Sequence, residues 1–155
     1  GDIEVMNPGE TLTLAYDITV DAGDHMSWVL RSDAGEEYVL DKAGEMVVPS
    51  SARFILERRA LIPVSYTLHQ NYPNPFNPVT TLRYDLPDRA HVILSVYDLA
   101  GREVTRLVNG VQEAGFRSVR WDATDRMGRP VSAGIYFYRI EAGEYIKTMK
   151  MLLLK

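Results

Sequence analysis

The chain of 155 residues contains no cysteine and only three histidines. The absence of cysteine excludes disulfide bonds, thiolate metal ligands and a cysteine nucleophile. The histidines, His25, His69 and His91, are too far apart for the short spacings that metal-ligand pairs usually have. Motifs for nucleotide binding, serine hydrolysis and zinc-dependent hydrolysis are absent as well. We therefore expect a protein that is not an enzyme and that uses no cofactor or metal ion.

The chain also lacks a surplus of positive charge and any long apolar run. Aspartate and glutamate outnumber lysine and arginine, and the formal net charge is -4. Nucleic acid and anionic lipid attract surfaces of the opposite sign, so neither is expected as a partner. The longest apolar run near the C-terminus, residues 151–154, is much too short for a transmembrane helix. The sequence thus predicts no membrane span.

Almost every patterned segment has a period of two residues, which is the repeat of a β-strand. The clearest case is residues 11–20, where an apolar residue occupies every second position. This alternation is typical of an antiparallel sheet with one face in solvent. Further strands are predicted at residues 26–31, 36–40, 45–48, 53–58, 80–86, 91–98, 103–108, 116–122, 135–141 and 144–154.

Turn-forming residues separate these strands. We predict turns at 21–24, 33–35 and 42–44, and hairpins at 98–101 and 142–143, all of which contain glycine. Short antiparallel strands spaced about 8–12 residues apart indicate a β-sandwich. The predicted fold is all-β: a C-terminal immunoglobulin-like β-sandwich over residues 80–155, preceded by a small β-rich module over residues 1–62. Four aromatic residues are predicted in the module's core: Tyr16, Trp28, Tyr38 and Phe54.

Residues 63–79 are predicted to form a junction between these two parts. Within them lies the Asn/Pro segment, residues 70–78, which contains three prolines and three asparagines. Proline has no amide donor and forces the preceding residue out of the helical region, so the segment cannot lie in a helix or a central strand. We interpret it as a rigid entry to the sandwich.

The segment after Trp121 permits two interpretations. Asp122 and Asp125, followed by Gly128, resemble part of a calcium loop, but the further oxygen ligands of such a loop are missing. The alternative, which we favour, is that both aspartates cap turns by accepting hydrogen bonds from backbone amides, while Trp121 fills the core.

Three consecutive aromatic residues, Tyr136, Phe137 and Tyr138, lie in one predicted strand. An exposed aromatic strip stacks well against sugar rings, which would indicate a carbohydrate-binding module. A central strand covered on both faces has the same pattern, and we favour that interpretation.

The last predicted strand is apolar on both faces. Tyr145, Met149 and Met151 alternate on one side, and Ile146 and Leu152 lie on the other. Such a strand is either covered inside the molecule or used by a partner whose sheet edge it joins. Both interpretations stay open from the sequence.

Residues from about 68 to 155 resemble the C-terminal sorting domains, of type A, of the bacterial type IX secretion system. The motifs that carry the resemblance follow one another in order: residues 71–78, 96–104, 121–122, 134–140 and the closing 150–155. Each motif alone is weak, and their order and spacing make the resemblance specific. The signature residues that it transfers are Pro73, Asn74, Pro75, Gly101, Gly134, Tyr136, Lys150 and Lys155.

The resemblance implies a noncatalytic domain that directs an upstream cargo protein across the outer membrane. The implied partners are the type IX secretion machinery at that membrane and a sortase, and the implied location is the bacterial cell surface or the medium, reached through the periplasm. On this basis we expect the chain to be the C-terminal piece of a larger protein. Most signature residues are expected to determine the fold, and the final strand with its lysines is the candidate for receptor contact.

Residues 119–140 also resemble the immunoglobulin-like domain of flagellar hook-capping proteins, which shares the Trp-Asp and Gly-x-Tyr-x-Tyr arrangement. Two alternative functions follow. One, suggested by the aromatic residues, is an adhesion module of a secreted bacterial protein that binds carbohydrate or protein; the other, suggested by the hook-cap resemblance, is a structural scaffold that forms a homo-oligomer. Residues 1–62 resemble no family.

Overall fold

The computed structural model describes residues 2–4, 11–19, 25–49 and 53–155. Every regular element among them is a β-strand, which confirms the all-β prediction. The chain divides into two compact units, Gly1–Leu61 and Ile62–Lys155. Residues 63–79, predicted as a junction, therefore belong to the second unit. Among the described residues there is no helix of the length and apolarity that a membrane crossing requires.

The first unit contains two antiparallel sheets. One has four strands in the order β1-β6-β3-β4, and the other is the pair β2-β5. The strands are β1 (Asp2–Glu4), β2 (Thr11–Asp17), β3 (Met26–Ser32), β4 (Glu37–Leu40), β5 (Ala43–Pro49) and β6 (Arg53–Ala60).

The core of the first unit is small. Phe54 is fully buried, and Tyr16, Trp28 and Tyr38 pack partly buried against the same cluster. The four aromatic residues predicted for this core therefore all contribute to it. Along β2 exposed and half-buried residues alternate strictly, as the period-two pattern predicts.

The second unit consists of two antiparallel sheets. A four-stranded sheet has the order β10-β9-β12-β13, and a three-stranded sheet has the order β11-β8-β7. The strands are β7 (Thr67–Leu68), β8 (Thr80–Leu86), β9 (Ala90–Tyr97), β10 (Glu103–Gln112), β11 (Gly115–Trp121), β12 (Gly134–Ala142) and β13 (Tyr145–Leu153).

Alternate residues of these strands form one core between the two sheets. On β9, Val92, Leu94 and Val96 are completely buried, and on β11 Trp121 is buried on the face that it shares with Val119. Both faces agree with the sequence patterns. Alternation of this kind buries one face of each sheet, so the two inner faces pack against each other.

Several elements differ from the sequence predictions, and one of them is β1 (Asp2–Glu4), where no strand was predicted. β10 runs on to Gln112 instead of ending at 108, because two register shifts at Glu103/Thr105 and Arg106/Val108 interrupt its pattern. Ala43 and Gly44 open β5 rather than forming a turn, and the left-handed residue there is Lys42 (φ 53°). The two-residue strand β7 was not predicted, because it lies beside the Asn/Pro segment in a stretch without alternation. Residues 20–24, including one predicted turn, lie outside the described residues.

Two hairpins of the second unit confirm the turn predictions. Gly101 closes the β9–β10 turn with φ +78°, and Gly143 lies in the two-residue β12–β13 turn with φ +57°. Side chains with a Cβ rarely adopt this left-handed conformation, so glycine is the suitable residue at both positions.

Candidate functional site

The Asn/Pro segment covers the outer edge of β13 near its C-terminal end. The Phe76 amide donates a hydrogen bond to the Leu152 carbonyl (3.0 Å), and the Leu154 amide donates to the Phe76 carbonyl (2.8 Å). These bonds make a parallel bridge between Phe76 and Leu153. The Leu152 amide donates to the Asn74 side-chain oxygen at 3.0 Å. A strand edge that would otherwise be open is thus closed from within the chain.

One more contact extends this cover by two residues. The Gln70 side-chain amide donates to the Lys150 carbonyl at 3.0 Å. The Lys150 carbonyl, both outward backbone groups of Leu152 and the Leu154 amide therefore have partners in the Asn/Pro segment. The peptide bonds that precede Pro73, Pro75 and Pro78 in the segment are cis.

The Phe76 side chain anchors the segment in the core. It is 2% exposed, and its ring centroid lies 5.7 Å from that of Trp121. Trp121 in turn meets the edge of Tyr136, with 5.5 Å between centroids. Tilted aromatic pairs at these distances contribute beyond their buried area. The anchor ties the backbone bridge to the interior of the sandwich.

Asn71 fixes the start of the segment from inside. This residue is 2% exposed, and its side-chain amide donates to the Pro73 carbonyl (3.1 Å) and to the Thr80 hydroxyl (3.0 Å). Its backbone amide donates to the Tyr138 hydroxyl at 2.9 Å, and that hydroxyl donates to the His69 carbonyl at 2.8 Å. A buried polar side chain needs such partners, and here they set the path of the chain between β7 and β8.

The Tyr138 hydroxyl, at the centre of this network, has a raised pKa because it is buried. Tyr138 is completely buried, and desolvation raises its pKa to about 12. Tyr138 therefore keeps its proton at physiological pH and remains a donor to the His69 carbonyl.

Two of the signature residues meet at the end of β13. Asn74 and Lys150 line a cleft of about 140 Å³ together with Ile135, Met151 and Leu152. The Lys150 side chain is exposed, while Met151 is buried beneath the cleft. The sequence alone did not predict that the Asn/Pro segment and the closing strand form this common surface.

Gly134 and Tyr136 lie on the neighbouring strand. Gly134 pairs with Leu153, and Tyr136 pairs with Met151. Tyr136 is 7% exposed, and its hydroxyl donates to the Ser132 carbonyl at 2.6 Å. Both residues support the strand beneath the cleft, and neither presents a polar group to it in these contacts.

The remaining signature residues do not line the cleft. Gly101 lines a shallow depression of about 300 Å³, with Tyr97, Leu99 and Phe137 among its neighbours. Pro73 contributes its carbonyl to the Asn71 network. Pro75 is exposed on the Asn/Pro segment, and Lys155 is exposed as the last residue of the chain. Their roles in sorting stay predictions.

The aspartates after Trp121 are engaged in turns. The Met127 and Arg129 amides donate to Asp125 Oδ1, and the Arg129 side chain donates to Oδ2. Hydrogen bonding from the Arg129 amide holds the pKa of Asp125 below its ordinary value. Trp121 fills the core as predicted. Asp122 differs from the prediction, because it accepts from the Thr124 hydroxyl at 2.5 Å rather than from a backbone amide.

A second turn has the same construction, and sequence reasoning missed the repeat. Asp98 accepts from the Ala100 and Arg102 amides and from the Arg102 side chain, just as Asp125 accepts from residues 127 and 129. The shared pattern Asp-x-x-Gly-Arg, at 98–102 and at 125–129, was visible in the sequence. The two glycines have φ +78° and +77°. The pattern marks a turn held by its own carboxylate.

The aromatic residues of β12 are divided between its two faces. β12 is a central strand between β9 and β13, which confirms that part of the prediction. Tyr136 and Tyr138 face the core, but the expectation that both faces are covered is wrong. Phe137 is only half-buried on the outer face, beside its partner Tyr97 on β9, because no second layer packs on that face among the described residues.

A comparison with protein families defines the class of the second unit, which is an immunoglobulin-like β-sandwich. Residues 77–145 match the model of the FlgD Ig-like domain, and this match covers less than half of the chain. No curated protein matches the chain.

Solved structures with partial similarity include two proteins of Porphyromonas gingivalis. One is PorZ, described as an essential bacterial surface component of the type-IX secretion system, with 20% identity over 57% of this chain and a TM-score of 0.42. The other is dimeric latent PorU, with 15% identity over 90% of this chain and a TM-score of 0.48. The chain covers 11% and 17% of those chains, respectively.

Proposed function

We propose that this chain is a noncatalytic sorting and surface-attachment domain, which directs a cargo protein through the type IX secretion system across the outer membrane. The supporting observation is that the first and last motifs of the resemblance, the Asn/Pro segment and residues 150–155, bind each other directly. Asn74 bonds the Leu152 backbone, and Lys150 lies beside it. The machinery at the outer membrane, together with a sortase, is the proposed partner, and the bacterial surface is the proposed location.

The physical argument concerns presentation of the closing residues. A receptor gains affinity when the segment that it recognises already has a fixed shape, since less conformational entropy is lost on binding. Here residues 150–153 pair with β12 on one side, and backbone groups of residues 150, 152 and 154 bond to the Asn/Pro segment on the other. Lys150 and Lys155 are exposed on this fixed support.

Export of a reporter tests the proposal. The reporter carries a signal peptide for the periplasm and the whole chain at its C-terminus, in a bacterium that possesses the system. We expect the reporter in the medium or on the surface, and its retention in the periplasm when residues 150–155 are removed. Because Met151 and Leu153 are core residues, this truncation also weakens the fold.

A folded variant separates recognition from stability. Lys150→Gln combined with Lys155→Gln changes only exposed side chains, so the domain should keep its stability. We expect export to fall several-fold, while Lys42→Gln, an exposed lysine of the first unit, leaves it unchanged. Undiminished export by the double variant and by the truncation would contradict the proposal.

A second candidate function, a carbohydrate-binding module, is favoured by the outer face of β12. Phe137 and Tyr97 are half-buried neighbours there and line the depression of about 300 Å³ with Arg139 and Asp98. Aromatic faces beside charged side chains suit the stacking of sugar rings. Binding on a glycan array that Phe137→Ala abolishes and Phe116→Ala retains would support it, and an array without binding would eliminate it.

A further inference from the structure

The outer edge of β13 is covered over only part of its length. All nine residues of β13 lie opposite residues of β12, and hydrogen-bonded pairs alternate with non-hydrogen-bonded ones, starting from the Ala142–Tyr145 pair that closes the turn. The backbone groups of the even-numbered residues therefore point away from β12. Near the C-terminus these groups are bonded to the Asn/Pro segment. Within the part of the chain that the structure describes, no hydrogen bond reaches the amides or carbonyls of Ile146 and Thr148, or the amide of Lys150.

This free edge, residues 146–150, is regular and accessible. The other outer strand of the same sheet, β10, has two register shifts, and such irregularities disfavour pairing with a further strand. β13 pairs with β12 without a shift over all nine residues. Ile146, Thr148 and Lys150 are exposed, Ile146 by 55%. Five backbone groups in a straight row therefore remain available to an added strand.

The charged residues of β13 are all positive, although the whole chain has a net charge of -4. Lys147 and Lys150 lie on the edge, and residues 145–155 contain no acidic residue. Glu141, which lies opposite Ile146 on β12, is paired with Arg139 at 3.1 Å. Glu144 in the hairpin turn is the acidic residue next to the strand in sequence. Acidic side chains on an incoming strand would find two lysines without a carboxylate partner in these contacts.

A second copy of the chain fits this edge less well. Antiparallel self-pairing centred on Thr148 would place Lys147 of each copy diagonally across from Lys147 of the other, on the same face. Like charges at such cross-strand positions destabilise a pair. Charge complementarity therefore favours a different, acidic strand.

We propose that the edge at residues 146–150 is a docking site for an extended acidic segment of a partner protein, which joins the sheet as its fifth strand. Main-chain hydrogen bonds to Ile146 and Thr148 supply the affinity. Lys147 and Lys150 lie on opposite faces of the strand, and each selects a carboxylate on its own face. The inference goes beyond sorting and does not depend on it, because it is drawn from the edge itself.

A titration followed by nuclear magnetic resonance tests the proposal on the whole chain. The probe is a nine-residue peptide with blocked ends that has glutamate at every third position and valine elsewhere, so that carboxylates lie on both faces of the extended peptide. The control is the same peptide with lysine in place of glutamate. We expect amide shifts at residues 146–150 with the acidic peptide and binding at least 10-fold weaker with the basic one. N-methylation of alternate amides in the acidic peptide should abolish binding, since it removes the main-chain donors.

Two variants locate the binding site. Thr148→Pro removes an outward amide that has no partner in the fold, which an edge strand tolerates, so the protein should stay folded and lose the peptide. The double variant Lys147→Glu, Lys150→Glu should reverse the preference toward the basic peptide. The proposal is overturned by an absence of binding, by equal binding of both peptides, or by concentration-dependent self-association through the same residues without peptide.

Discussion

The two halves of the terminal strand differ in what is bonded to their outer side. Around residues 150–154 the outward backbone of β13 is bonded to the Asn/Pro segment, whereas the outward groups of Ile146 and Thr148 have no bond from any described residue. Both halves belong to one regular ladder with β12. A single strand thus combines a segment fixed within the domain with a segment that remains open to a partner.

This difference originates far away in the sequence. The contact between Asn74 and Leu152 spans 78 residues, and the contact between Gln70 and Lys150 spans 80. The ladder with β12 is regular along both halves, so the pairing of β13 itself does not determine which half is covered. Without the contacts of the Asn/Pro segment, the outward backbone groups of the covered half should therefore lose their partners, as in the free half. Three predictions test this comparison.

The largest effect is expected for Phe76→Ala. Truncating a fully buried aromatic residue typically costs about 3–5 kcal/mol, because contacts are lost and a cavity remains. Here the change also releases the anchor against Trp121, so the covered half should open. Chemical denaturation of the second unit measures the loss. Tyr72→Ala, 76% exposed in the same segment, is the matched control and should change the free energy of unfolding by less than about 0.5 kcal/mol. Equal losses of unfolding free energy in the two variants would contradict the role of Phe76 as an anchor.

An intermediate effect is expected from the titration of Tyr138. A tyrosine in the unfolded chain loses its proton near pH 10, whereas the buried Tyr138 keeps it to about pH 12. Between these values the unfolded state binds fewer protons, so the free energy of unfolding should fall as pH rises, by about 1.4 kcal/mol per pH unit at most. Below pH 10 this contribution is fully present.

Comparison with Tyr138→Phe isolates that contribution. The variant lacks the proton, so its stability should fall less steeply between pH 10 and pH 12, although it is less stable at neutral pH by about 1 kcal/mol because two hydrogen bonds are lost. Identical slopes for Tyr138→Phe and the unchanged chain would show that this hydroxyl does not control the effect.

The smallest effect is expected for Asn74→Ala. Its side-chain oxygen accepts one hydrogen bond, from the Leu152 amide, in an exposed position. The expected cost is about 0.5–1.5 kcal/mol, together with faster hydrogen exchange at that amide. Asn77→Ala changes an exposed asparagine of the same segment and should leave exchange at Leu152 as it is. Loss of protection in both variants would point to a general loosening of the segment instead.

The strands of the sandwich could be predicted from the sequence because their cause is local. Alternation places Val92, Leu94 and Val96 on one face of β9, and this apolar face is the one buried against the opposite sheet. β10 was predicted too short because its register shifts break the alternation within the strand. β7 has only two residues, fewer than an alternating pattern needs.

The candidate site was predictable only in its parts. The motifs identified Asn74 and Lys150 one by one, but their contact depends on tertiary structure. Asn71 was predicted only as part of the Asn/Pro segment, and the structure shows a buried polar side chain with hydrogen-bond partners from β8 and β12. The repeated Asp-x-x-Gly-Arg turns, in contrast, were readable from the sequence and were missed.

Hydrogen exchange at the backbone amides of β13 tests the central claim most directly, since it measures both halves of the strand in one experiment. Leu152 and Leu154 donate to the Asn/Pro segment, whereas Ile146 and Thr148 point outward without a partner among the described residues. We predict exchange at Leu152 and Leu154 at least about 100-fold slower than at Ile146 and Thr148, relative to each residue's intrinsic rate. Comparable protection at all four amides would contradict the account.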